Sequence, residues 1–267
     1  MTPYQFSAGT LPLLISIPHA GTALTPEVEA GLSDAARGLP DTDWHIPQLY
    51  DFVNTMGASV LVGNYSRFVI DLNRPADNQP LYTTATTGLY PETLFDGTPT
   101  FKPGMTPTDA QRQGYLQDLW TPYHQKLQQE LARLKQQFGY VLLFDAHSIA
   151  SVIPRLFDGR LPDLNLGTNS GESCPPVMSA ALQQVCEAQS RFSWIMNGRF
   201  KGGYITRAYG QPTQQQYALQ LELAQGNYMD EQPPFGWRGD RAAELQPLLK
   251  QLIEVMLEQG AQQCKAE

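Results

Sequence analysis

The sequence predicts an α/β fold, a single domain over residues 1–267 with a mostly parallel, mixed central sheet flanked by helices. Two continuous apolar runs, LPLLISI at 11–17 and YVLLF at 140–144, read as strands buried on both faces, the pattern of a parallel sheet covered by helices. Stretches of helical periodicity alternate with such runs. No internal repeat or linker interrupts the chain, and its 267 residues, 42% of them hydrophobic, suffice for a sizeable core.

The strand at 11–17 ends in the turn-like Pro18-His19-Ala20-Gly21. Residues 44–56 place Ile46, Leu49, Phe52, Val53 and Met56 near helical spacing, with Gly57 as the stop. Short strands are expected at 58–62 and 67–72, around a turn at Gly63-Asn64. From 75 to 107 the composition shifts to Pro, Gly and Thr without periodicity; a loop this long is either a binding loop or lid, or a plain surface wrap. A long amphipathic helix follows, carrying Tyr115, Leu119, Tyr123, Leu127, Leu131, Leu134 and Phe138, with Pro122 expected to kink or split it. After the strand at 140–144 come a loop-rich segment to Pro176, a helix to Gln189, and strands at 194–196 and 217–223. A final helix covers 241–259.

With 26 acidic and 18 basic residues, a formal charge of −8, the chain lacks the basic footprint of a nucleic-acid or anionic-lipid binder. No apolar run approaches membrane-span length, and the opening MTPYQF is not a signal peptide. Cys174, Cys186 and Cys264 are too scattered for a disulfide framework or a CxxC zinc site. These features read as a reduced, cytoplasmic protein with a small-molecule partner, and nothing in them specifies an oligomer. The GxSxG elbow, the P-loop and GxGxxG after the first strand are all missing.

His19 and His147 each follow an apolar strand, and in open α/β sheets ligands gather outside the carboxyl ends of strands. Two imidazoles there could share a metal, or each could be a structural loop histidine. Asp145, two residues before His147, could accept its other ring N–H or simply bond a turn. A third ligand could come from Asp41 or Asp43, although N-capping of the helix behind them is the ordinary use of either. A His₂-carboxylate set suits catalytic zinc and leaves a position for water.

In YALQLEL, Glu222 shares one face of the strand with Ala218 and Gln220, where it serves as a general base beside a metal site or sits on a solvated edge. Arg67, Asn73 and Arg74 in SRFVIDLNRP form a polar constellation suited to a carboxylate, with an internal Arg67–Asp71 pair as the alternative. Arg155 and Arg207 add cations from loops.

The blocks SIPHAG, LPDTDWHIPQLYDF, SRFVIDLNRP, LLFDAHSIASVIPRLFDGRLPDLNLGT, GGYITRAYG and ALQLELAQGNYMDE, in this order over about 15–235, resemble the N-formylglutamate amidohydrolase family. The resemblance implies hydrolysis of N-formyl-L-glutamate to formate and L-glutamate in histidine degradation. It also implies a zinc-carboxypeptidase-like α/β core holding one zinc ion, or another divalent metal. Carried over, His19 and His147 are metal ligands and Glu222 is the general base. Asn73 and Arg74 match a carboxylate-holding Asn-Arg pair, with Arg67 as a second clamp and catalytic group. Where the carboxypeptidase pattern reads HxxE, His19 is followed by Ala-Gly-Thr, so the carboxylate ligand comes from elsewhere, Asp43 or else Asp41. The competing readings are a hydrolase of another N-acyl amino acid, aspartoacylase-like, and a non-catalytic carboxylate-binding protein.

Overall fold

Residues 13–17 are apolar apart from Ser16 and fully enclosed, and they form an interior strand of a seven-stranded sheet. The computed structural model describes residues 2–81, 83 and 86–266. Its strands are β1 (Tyr4–Ser7), β2 (Leu13–Ile17), β3 (Ser59–Gly63), β4 (Val141–Ile149), β5 (Leu164–Gly167), β6 (Trp194–Met196) and β7 (Gln216–Ala224). They lie in the order β1-β3-β2-β4-β7-β5-β6. The block β3-β2-β4-β7 is parallel throughout; β1 joins it antiparallel at one edge and β5 antiparallel at the other, so the sheet is mixed.

The eight α-helices among the described residues are α1 (Pro26–Gly31), α2 (Ile46–Leu49), α3 (Phe52–Met56), α4 (Asp109–Tyr115), α5 (Thr121–Phe138), α6 (Pro176–Glu187), α7 (Tyr204–Tyr209) and α8 (Gly239–Ala266). Period-two alternation sends the central strands' side chains to two cores. Leu13, Ile15, Leu142, Phe144, Leu219 and Leu221 pack with Met178 and Leu182 of α6 and Leu245, Leu249 and Leu252 of α8. Leu14, Val141, Leu143 and Ala218 pack with Tyr123, Leu127 and Leu131 of α5 and Ile205 of α7. Each fully buried leucine or isoleucine contributes about 1.5–3 kcal/mol of transfer free energy, so both helical layers are firmly held. No helix among the described residues is long and apolar enough to cross a membrane.

Several expectations need correction. The helix expected at 44–56 is two short ones, α2 and α3, interrupted at Tyr50-Asp51, although Gly57 does stop it in a left-handed conformation (φ 93°). Residues 67–72 form turns instead of a strand, because the Asp71 carboxylate bonds the Asn73 amide and other side chains rather than following a ladder. The long helix is divided close to Pro122, as expected, with the interruption falling just before the proline. Pro122 lies in the first turn of α5, and a π-helical stretch at Leu116–Trp120 links α4 to α5 ahead of it. The strand expected at 140–144 continues to Ile149, its polar residues paired all along with β7. The sequence reading also missed β1, β5, α1 and α7.

His124 shows how α5 is tied to the segment that matters below. Its Nε2–H donates to the Leu72 carbonyl at 2.9 Å, Nδ1 accepts from the Tyr209 hydroxyl at 2.8 Å, and the ring stacks on Trp120. Burial lowers this imidazole to about 4. The unfolded chain therefore takes up a proton near pH 6.5 that the folded protein resists down to about 4. The neutral ring's contribution is complete above pH 6.5 and is lost as pH falls towards 4, by about 3 kcal/mol in all. Denaturant titrations of the parent and of His124→Gln from pH 7.5 to 4 are expected to show the parent losing this increment relative to the variant, since other titrating groups are common to both. Parallel stability curves would show that His124 titrates normally.

Candidate active site

Because β2, β4 and β7 are adjacent and parallel, their carboxyl ends deliver side chains to one place. His19 follows β2 by two residues, while His147 lies inside β4 rather than beyond it. Asp145 and His147, two apart, share the face of β4 that further back packs against α5. Across the ladder Asp145 pairs in register with Gln220 and His147 with Glu222, so four polar residues cluster where the apolar layer ends.

His19, Asp43 and His147 are all buried, and one donor atom from each lies within 4.8 Å of the others. The Asp43 loop is drawn in by the Asp43 amide, which donates to the His19 carbonyl at 3.1 Å. Both histidines turn Nδ1 towards Asp43 Oδ2, at 3.9 Å for His19 and 3.1 Å for His147. Each Nε2 is engaged by another buried carboxylate, His19 with Asp71 at 2.7 Å and His147 with Asp145 at 3.0 Å. A carboxylate accepting the outer N–H fixes the tautomer and leaves Nδ1 as the free donor, the arrangement that metal-binding histidines show.

Electrostatics point the same way. Burial and the neighbouring Arg67 lower the His19 imidazole, which keeps it neutral. Burial also pulls His147 down, but Asp145 and Asp43 outweigh that and hold it well above its usual value, so the space beside Asp43 favours positive charge. Asp71 stays well below the usual carboxylate range: burial opposes this, and His19, Arg67 and Arg74 overcome it. Asp43 Oδ1 is buried without a hydrogen-bond partner among the described residues. Asp43 Oδ2 faces the two imidazole Nδ1 atoms while Oδ1 is left without a hydrogen bond, and a carboxylate so placed with two nitrogens fits a divalent cation, zinc by its donors.

Asp41 goes elsewhere. Its Oδ2 accepts from the Phe95 amide at 2.8 Å, and burial raises its carboxyl to about 6. Neither aspartate caps α2, which starts from His45 in a left-handed conformation.

Glu222 is 8% exposed and lines a pocket that opens to solvent. Burial raises its carboxyl to about 7, against the opposing pull of His147, so it can both accept and return a proton near neutrality. The same cavity is lined by His19, His147, Arg67, Asn73 and Arg74. Asn73 is fixed from both ends: its Oδ1 accepts from the Ile205 amide at 2.8 Å, and its Nδ2 donates to Asp145 Oδ2 at 3.4 Å, beside His147. A side chain at Gly203 would collide with it, so that glycine admits the close approach. Arg74 donates to the Thr87 carbonyl and the Thr86 hydroxyl, and among the described residues no carboxylate lies within 4 Å of its guanidinium. Arg67 pairs with Asp71 at 2.7 Å and stacks on Phe95. The internal Arg67–Asp71 pair thus coexists with a place on the cavity wall.

Two expected cations fall outside this wall. Arg155 is exposed, donating to the Phe95 carbonyl, and Arg207 donates to the Gly202 and Leu81 carbonyls. Arg199, unmarked by any motif, lines the cavity instead, and Gln220 joins it there. Asp71 was considered only as a partner for Arg67; its contact with His19 depends on a loop path that spacing does not reveal. Thr86, Thr87 and Phe95 place part of the 75–107 loop on the cavity wall, while Tyr82, Thr84 and Ala85 lie outside the described residues.

The chain is similar to known proteins over most of its length. A family model described as N-formylglutamate amidohydrolase matches residues 11–229. An N-formylglutamate deformylase of Pseudomonas aeruginosa is 59% identical over 256 residues, covering 96% of both chains. One of Pseudomonas putida is 58% identical over 258 residues, covering 97% of both. The crystal structure of an N-formylglutamate amidohydrolase from Ralstonia eutropha is similar in fold, with a TM-score of 0.81 at 22% identity over 97% of this chain and 98% of that one. A gene product of Agrobacterium tumefaciens shares the fold with a TM-score of 0.74 at 16% identity, over 96% and 95% of the two chains. With the family model covering most of the sequence and relatives this similar over nearly their whole length, the chain belongs to the N-formylglutamate amidohydrolase family.

Proposed function

We propose that this chain hydrolyses N-formyl-L-glutamate to formate and L-glutamate, using a divalent metal, zinc by the character of its donors, held by His19, Asp43 and His147. The observation that carries the reading is the buried histidine-aspartate-histidine group with Glu222 in register beside it. The names of the relatives supply the substrate.

A zinc ion at this group would supply a Lewis acid that polarises the formyl carbonyl and acidifies water. Glu222 takes the proton from the attacking water and delivers it to the amide nitrogen as the C–N bond breaks. Asn73 and Arg74 hold a substrate carboxylate beside the reacting amide. Arg67, on the cavity wall, donates from its guanidinium to the developing oxyanion. Asp71 and Asp145 keep His19 and His147 in the tautomer that presents Nδ1.

The zinc-loaded protein is expected to release one formate per N-formylglutamate consumed and to act far more slowly on N-acetylglutamate, whose extra methyl must fit a formyl-sized space. A formate assay run beside metal analysis checks both. Failure of the metal-replete protein to release formate from N-formylglutamate would reject the substrate, whereas equal turnover of the two compounds would favour a general N-acyl amino acid hydrolase.

A further inference from the structure

Three guanidinium groups line the cavity, from Arg67, Arg74 and Arg199, and they are not equivalent. Arg67 is already committed to a carboxylate, pairing with Asp71 at 2.7 Å. Arg74 follows Asn73, which touches His147, so it is tied to the reacting end of the cavity. Arg199 comes from a separate segment. Its Nε donates to the Leu156 carbonyl at 2.8 Å and its guanidinium packs against the Phe200 ring, both residues outside the histidine-aspartate group. Around it the wall is apolar, formed by Ile149, Leu156 and Phe200.

On the proposed substrate the two carboxylates also differ. The α-carboxylate sits one carbon from the scissile nitrogen, while the side-chain carboxylate lies beyond two methylenes. A cation anchored beside the metal group suits the first. A cation set in an apolar wall suits the second, because the wall covers the methylenes while the guanidinium meets the terminal charge. We infer that Arg199 is the specificity-determining residue that binds the side-chain carboxylate, with Leu156 and Phe200 packing the methylenes that lead to it. This rests on the substrate reading above.

The test compares kcat/KM on N-formylglutamate and on N-formylnorvaline, which keeps the side-chain length and lacks the terminal charge, at enzyme concentrations high enough to record slow turnover. A lost charge-assisted contact of about 1.5–3 kcal/mol predicts that Arg199→Met lowers kcat/KM on N-formylglutamate about 10- to 150-fold. On N-formylnorvaline it should change less than about 3-fold, and Arg199→Lys should recover part of the loss. Retained norvaline turnover also reports that the variant is folded; if Arg199→Met does not fold, Arg199→Lys and Arg199→Gln are compared in the same way. Equal losses on both substrates, no loss on either, or the selective loss appearing in Arg74→Met instead would overturn the inference. A parent protein inactive on N-formylglutamate would reject the substrate reading and this inference with it, an outcome distinct from an active parent whose Arg199 variants show no selectivity.

Discussion

Glu222→Gln is expected to lower kcat on N-formylglutamate roughly 10²–10⁴-fold while zinc content and substrate KM stay near those of the parent. Glutamine keeps the shape of the side chain and removes the carboxylate that exchanges protons. Glu222 stands apart from the histidine-aspartate group, and its carboxylate accepts from the Gln220 side-chain amide at 3.4 Å. The substitution therefore leaves the proposed ligand set whole. It also relieves a strain, since a carboxyl raised to about 7 by burial is one the fold would rather keep neutral. The variant should accordingly be at least as stable as the parent, which separates loss of chemistry from loss of structure. Single-turnover formate release, zinc stoichiometry and thermal unfolding together decide the matter. Turnover near the parent value would remove Glu222 from the reaction.

How much of this was legible before the structure depends on whether a residue's role is local. The central parallel strands could be read because β2 and the first half of β4 are unbroken apolar runs, and burial on both faces leaves that mark in any sequence. The second half of β4 could not, because Asp145, His147 and Ser148 are polar and find their partners in the site rather than in solvent. The same polar residues that hid the strand betrayed the chemistry. His19, His147 and Glu222 stood out as polar groups at strand ends or on a strand face, and Asp43, with Asp41, as a carboxylate before a helix; in the structure His19, His147 and Glu222 line one cavity and Asp43 lies beside the two histidines. Arg199 and Asp71 were missed for the opposite reason. Their importance comes from where turns carry them, and the turns at 67–74 and 197–203 are held by contacts distant in sequence, such as the Gly203 amide on Gln220.

Replacing either histidine by alanine is expected to abolish zinc binding and with it the activity. The reason lies in the charges left behind. Without His147, Asp43 Oδ2 keeps the Ser148 amide at 3.2 Å but loses its imidazole partner, and Asp145 loses the group whose N–H it accepts. Without His19, Asp71 keeps Arg67 and loses its 2.7 Å imidazole contact. In both cases two donors remain of three, too few to hold zinc through dialysis. Graded variants place the remaining carboxylates. Asp43→Ala should release the metal as the histidine variants do. Asp71→Asn should keep the ligands and weaken zinc affinity about 10- to 100-fold, because the amide no longer fixes the His19 tautomer. Asp41→Asn should leave zinc binding unchanged, since that carboxylate faces the Phe95 amide and not the histidines. Titration calorimetry with zinc on the metal-stripped proteins reads all of these without reference to turnover. Parent-like affinity in His147→Ala would mean that the metal, if bound, is held elsewhere, and zinc loss in Asp41→Asn but not in Asp43→Ala would move the carboxylate ligand by two residues.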